Sequence, residues 1–135
     1  MRLRLLPLVP LVPFAVLALA ACDGGGTEPP PPPGGDYNAV LQGPTSAESA
    51  ALLELTGTGI EDVSSLTSVV YSSPVSGGRR VVLVRGTPGA LEFRVRMAPG
   101  NEPPAARVVE LAGGDDQLRT SLTGYQVAFT RAAAP

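Results

Sequence analysis

The sequence contains no histidine, no lysine and no tryptophan, and it has a single cysteine. Without histidine there is no Ser-His-Asp triad, no imidazole general base and no histidine-bound zinc. Without lysine there is no Schiff base and no P-loop lysine. The missing tryptophan removes the commonest platform for stacking a sugar ring, and beyond the N-terminal segment only Tyr37, Tyr71, Tyr125, Phe93 and Phe129 are aromatic. The lone Cys22 cannot close an intramolecular disulfide, so the chain must fold without that staple. Two chemistries survive these absences: catalysis by carboxylates alone, and calcium binding.

Positive charge is also sparse. All 10 basic residues are arginines, a usage that with abundant alanine, glycine and proline points to a GC-rich genome. They stand against 12 acidic residues. Removing Arg2 and Arg4 with an N-terminal segment leaves eight against 12, a net charge of −4. A mildly acidic surface argues against nucleic acid as a partner, because that binding relies on clustered positive charge. It argues equally against polybasic attraction to anionic lipid.

Arg2 and Arg4 precede an apolar run from Leu5 to Ala21, which ends in Leu19-Ala20-Ala21-Cys22. A positive start, an apolar stretch and small residues before the cysteine are the layout of a secretory signal peptide over residues 1–21. A transmembrane helix needs about 20 apolar residues, and Pro7, Pro10 and Pro13 disfavour a long regular helix here. An ordinary signal peptide followed by an incidental cysteine is the alternative. The Leu19-Ala20-Ala21-Cys22 ending resembles the lipobox of bacterial lipoproteins. The resemblance implies cleavage between Ala21 and Cys22 and a diacylglycerol on the Cys22 sulfur, with palmitate-type acyl chains. The protein would then be tethered to the cell membrane or outer membrane, facing the periplasm or the cell exterior. Two or more acyl chains anchor stably where one binds only marginally. A lipidated sulfur also leaves no thiol for nucleophilic or redox chemistry. Asp23 resembles the retention signal of inner-membrane enteric lipoproteins; read as a simple acidic linker residue, it leaves the choice of membrane open.

Residues 22–36 form a linker. Gly24–Gly26 and Gly34–Gly35 are expected to be flexible, while Pro29–Pro33 is expected to form a short polyproline II rod of about 3.1 Å per residue. A PxxP ligand for an SH3-type partner is the sharper alternative, but such partners are mainly intracellular.

Residues 37–131 read as one domain, followed by a disordered tail at 132–135. Leu91, Phe93, Val95 and Met97 alternate with Glu92, Arg94 and Arg96, the clearest half-buried strand in the chain. Arg79 to Arg85 is apolar on both faces, as a central strand would be. Ala51, Leu53 and Leu55 mark a further strand, as do Tyr37, Ala39 and Leu41, Val69 and Tyr71, Val109 and Leu111, and Tyr125, Val127 and Phe129. Turn signals separate them at Gly43-Pro44, Gly57 to Gly59, Pro74 to Gly78, Gly86 to Gly89, Pro99 to Pro104 and Gly113 to Asp116. The spacing predicts an all-β fold, a small antiparallel β-sandwich of about seven to eight strands. Ile60, Val63 and Leu66 could mark one helical turn but fit better as a plug at one end of the sandwich. No internal repeat is visible.

Two acidic pairs are candidate sites. Asp115 and Asp116 on the Gly113-Gly114 loop could offer oxygen ligands to calcium, although EF-hand spacing is absent. Glu61 and Asp62 lie in the Gly57–Ser65 loop. If both loops lay at one end, their carboxylates could converge as a contact site or as the acid and base of a small glycoside hydrolase. The ordinary reading is solvated aspartates bonding to nearby backbone amides. Arg94 and Arg96 could form a recognition face for an acidic partner or glycan, or simply a soluble exterior or protective edge. Tyr125 after Gly124 loosely resembles the tyrosine corner of Greek-key sandwiches, yet reads first as a core aromatic.

The strand and loop layout, with Ala51-Leu52-Leu53-Glu54-Leu55-Thr56-Gly57 and Gly124-Tyr125-Gln126-Val127, resembles cohesin-like and immunoglobulin-like modules of bacterial envelopes. Taken together, the sequence predicts a non-catalytic envelope domain that binds a protein or serves as a structural element, with no metal and no cofactor beyond the covalent lipid. A carbohydrate-binding module is the alternative, with a glycan as partner, and a carboxylate-dependent hydrolase is the third reading.

Overall fold

The structure is a computed structural model that describes residues 34–45 and 47–133. The signal segment, the cleavage site at Ala21, Cys22, Asp23 and the Pro29–Pro33 rod lie outside the described residues, as do Ser46, Ala134 and Pro135. Eight strands follow in order: β1 (Gly35–Gln42), β2 (Glu48–Thr56), β3 (Ile60–Ser64), β4 (Val69–Val75), β5 (Gly78–Gly89), β6 (Glu92–Met97), β7 (Ala105–Gly113) and β8 (Gln126–Arg131). They form two four-stranded antiparallel sheets, A in the order β3-β6-β1-β8 and B in the order β4-β5-β2-β7. This is the all-β sandwich that the alternation predicts. Strand β1 starts two residues before the expected domain boundary, so Gly35 and Asp36 belong to the sheet, and the Ala132 N–H closes onto the Asp36 carbonyl at 2.9 Å.

The core lies between the sheets and follows the period-two pattern. Leu91, Phe93, Val95 and Met97 are all buried on sheet A, opposite Ala51, Leu53, Leu55, Val81 and Leu83 on sheet B. Phe93 meets Phe129 edge to face, with ring centroids 6.4 Å apart. Three expectations about facing are corrected. In β4 it is Val70 that packs inward, while Val69 and Tyr71 point to solvent. In β7 the register skips Val109, a bulge that brings both Val108 and Leu111 to the core face. Ile60 and Val63 are neither helix nor plug but part of strand β3, and Leu66 is fully exposed at 100 %.

The register defines two poles. At one, Gly34 enters, Ala132 leaves, and Thr56 faces both Gly78 and Ala105. At the other, Glu48 faces Gly89 and Gly113, close to the start of β8. Gly78 at the first pole is held by close approach: a Cβ there would sit 1.8 Å from the Leu55 carbonyl oxygen, and backbone cannot swing aside as a side chain can. Gly78→Ala is expected to cost about 1–3 kcal/mol through displaced β2–β5 pairing. Chemical denaturation checks this, and a loss under about 0.5 kcal/mol, the range of ordinary surface changes, would contradict it.

Candidate functional site

At the far pole one carboxylate gathers three segments. Glu48 opens β2 and would lie on the outer face if the alternation of Ala51, Leu53 and Leu55 ran back unbroken. The register shift between Glu48 and Ala50 turns it inward instead, leaving its side chain 3 % exposed. Tyr125 donates its hydroxyl to Glu48 Oε1 at 2.6 Å, the Thr45 hydroxyl donates to the same oxygen, and Arg119 Nε donates to Oε2 at 3.0 Å. Beside it, the Ser49 hydroxyl donates to the Gly113 carbonyl at 2.6 Å. The Tyr125 ring lies against Gly43, where a Cβ would come within 2.1 Å of it. The β1–β2 loop, the start of β2 and the β7–β8 loop, including its last residue before β8, are thereby pinned to one point.

Burial opposes ionisation of Glu48, but the hydrogen bonds from Thr45, Tyr125 and Arg119 together outweigh it and hold the carboxyl below its ordinary range. Both oxygens are engaged by these donors. Chemically this is a latch rather than an acid or base awaiting substrate. Tyr125 is the core aromatic expected, and its hydroxyl ties to side chains instead of the upstream backbone of a tyrosine corner.

The predicted acidic pairs do not meet. Glu61 and Asp62 are in strand β3, not in a loop, with Asp62 opposite Arg96 near the pole where the chain enters. Asp115 and Asp116 sit at the far pole, beyond Gly113. There the Asp115 carboxylate accepts the Gln117 N–H at 3.3 Å, while Asp116 adopts a left-handed backbone at φ 58°. These are the contacts of a turn. Among the described residues no three acidic side chains gather closely enough to hold a metal ion.

Comparison with protein-family models, with curated proteins and with solved structures finds no match for this chain.

The outer faces of the two sheets differ sharply. Sheet A turns out mainly polar side chains, Asp36, Asn38, Gln42, Arg94, Arg96 and Thr130, around the half-buried pair Val40 and Ala128, and Asp36 accepts from Arg96 at 3.1 Å with Arg94 3.9 Å away. Strand β6 is interior to its sheet, so these arginines cover a face and do not guard an edge. Sheet B turns out apolar side chains in register. Val69 faces Val84 and Tyr71 faces Val82; those two valines face Ala50 and Leu52; Ala50 faces Ala112, which bridges to Leu118. Tyr71 is 64 % exposed and Leu118 65 %. A depression of about 210 Å³ lies in this face between Leu52, Val82, Glu110 and Leu118. Toward the entry pole Glu54 binds both Arg80 and Arg107, closing the apolar field with a charge ladder.

A larger depression of about 430 Å³ lies at the entry pole among Asp36, Glu61, Arg96 and Arg131. Arg131 donates to the Gly34 carbonyl at 2.8 Å and stacks 5.9 Å above the Tyr37 ring, so its charge is committed to holding the chain entrance. Sequence reasoning missed Glu48, Thr45 and Arg119, since no local motif announces contacts spanning 71 and 77 residues. It also missed the apolar face, although Val69, Tyr71, Val82 and Val84 were visible as a surplus of apolar residues for one core.

Proposed function

We propose that this is a lipid-anchored envelope protein whose sandwich is a non-catalytic interaction module, with the outer face of sheet B as its contact surface. The observation that carries the reading is the contrast between a polar outer face on sheet A and an apolar one on sheet B. Monomeric soluble proteins rarely expose contiguous apolar patches beyond a few hundred Å² without a binding role. The Leu19-Ala20-Ala21-Cys22 sequence supports the anchor, and the glycine and proline linker before Gly34 supports a domain held off the membrane. The carbohydrate alternative has less support, because Tyr37 is buried and the Tyr125 hydroxyl is engaged, leaving Tyr71 as one exposed tyrosine rather than a row. The hydrolase alternative would need two carboxylates at a set separation, and the candidate pairs stand at opposite poles.

Metabolic labelling of the expressed full chain with an alkyne fatty acid tests the anchor. The wild-type chain is expected to take up label and remain with membranes, and Cys22→Ser to lose both properties. Equal labelling of the two proteins, or none in wild type, would rule out lipidation at this cysteine.

A further inference from the structure

We propose that the outer face of sheet B is covered by the same face of a second copy of this chain. The inference rests on the reading of the domain as an interaction module and names its partner. Three observations point to self-association. The first is area. Four strands about 4.8 Å apart, carrying Val69, Tyr71, Val84 and Leu118 at 40–65 % exposure over half-buried Ala50, Leu52, Val82 and Ala112, offer on the order of 600 Å² per copy. Two such faces bury about 1,200 Å², the lower bound for a specific stable interface. Sheets pack face to face about 10 Å apart in this way inside β-sandwiches generally.

The second observation is charge. Two identical faces meet without strong repulsion only if each is locally balanced. Here both arginines of the face, Arg80 and Arg107, are bound to Glu54, and Glu110 offsets the remaining positive charge. An anionic bilayer fits less well, because among the described residues the arginines of this face, Arg80 and Arg107, are already bound to Glu54. The third is geometry. The chain enters on β1 and leaves on β8, both in sheet A, so neither end obstructs the face of sheet B. Copies tethered to one membrane also meet at a high effective concentration, which favours an interface of modest area.

The test places the photo-crosslinker p-benzoylphenylalanine at position 71 or 118 of the full-length chain, irradiates intact envelopes and identifies the adduct by mass. As a control the same group replaces Asn38 on sheet A. The expected result is an adduct of twice the mass of the chain, containing only this sequence, from positions 71 and 118 but not from 38. Pairing that probe at position 71 with Val84→Arg, which places an unpaired charge within the contact, is expected to lower the dimer yield by about tenfold or more. Val84 is already 40 % exposed, so the fold tolerates the change. An adduct with a different protein would overturn the second copy while leaving the interaction module standing. A lipid adduct would overturn both by assigning the face to the bilayer, and an absence of adducts would do the same by leaving the face without an occupant. Equal dimer from position 38 would reduce the result to random collision and overturn the assignment to sheet B. Fatty-acid labelling at Cys22 reads the anchor separately from all of these.

Discussion

Replacing Glu48 with alanine is expected to lower the unfolding free energy by about 2–3 kcal/mol and the melting temperature by about 10–20 °C. The carboxylate is buried, and its removal leaves Arg119 Nε, the Tyr125 hydroxyl and the Thr45 hydroxyl without their common acceptor. Arg119 is about 30 % exposed and recovers some hydration, which keeps the cost below that of stranding a fully buried charge. Glu48→Gln keeps the volume and one carbonyl oxygen, so its loss should be smaller, about 1–2 kcal/mol. The pair separates the charge from the shape. Because the folded-state titration of Glu48 lies below its ordinary range, the ionised carboxylate contributes stability that is fully present above the unfolded value of about 4.3. That contribution disappears as the pH falls through the lower, folded value. The gap in stability between wild type and Glu48→Gln should therefore be constant from pH 7 to about pH 5 and narrow below about pH 4. Denaturation of both proteins at each pH measures it. A gap that stays constant down to pH 3, or that widens, would mean that the ionised carboxylate is not what the three segments share.

That latch was the least legible part of the chain, and the reason is physical. Alternation from Leu91 through β6 could be read directly because each step along an extended chain changes face, and Leu91, Phe93, Val95 and Met97 are all buried. The same rule fails wherever a bulge inserts a residue. The shifts beside Ser49 and at Val109 depend on how β2 meets β5 and β7, partners distant in sequence, and each reverses the facing of everything before it. Hence Glu48 reads as a solvent-facing neighbour of Glu54, although it lies in the interior. Val69 and Tyr71 mislead for another reason. A strand with apolar residues on both faces carries no period, and only the sheet it joins decides that Val70 is inward. Strand β3 was hidden because Glu61 and Asp62 next to Gly57–Gly59 look like loop, yet the strand is held by its register with β6. The acidic pairs were visible as residues but not as places, since their separation is a property of the finished sandwich.

Leu53→Ala is expected to be the most destabilising single core truncation, at about 3–5 kcal/mol. Leu53 has no exposed surface, lies at the middle of β2 and faces Val81 on one side and Val108 on the other. Both neighbouring strands are fixed by long ladders, so the surrounding side chains can fill the lost volume only in part, and the residual cavity adds to the lost transfer energy. The bulge at Val109 sharpens the effect, because it is what supplies Val108 to the core beside Leu53. A domain of this size holds a total stability of about 5–15 kcal/mol, so the variant would stand near the edge of folding at 37 °C. In urea the midpoint should fall with little change in slope, since the surface exposed on unfolding is nearly the same. Leu118→Ala is the matched comparison: the same atoms are removed from a residue that is 65 % exposed, and a monomer should lose no more than about 0.5 kcal/mol. If Leu118→Ala costs as much as Leu53→Ala at low protein concentration, the apolar face of sheet B is packed against its own chain rather than open. If instead its cost grows with protein concentration, the face is stabilising an associated state, and the stability of the fold and its assembly are linked through the same sheet.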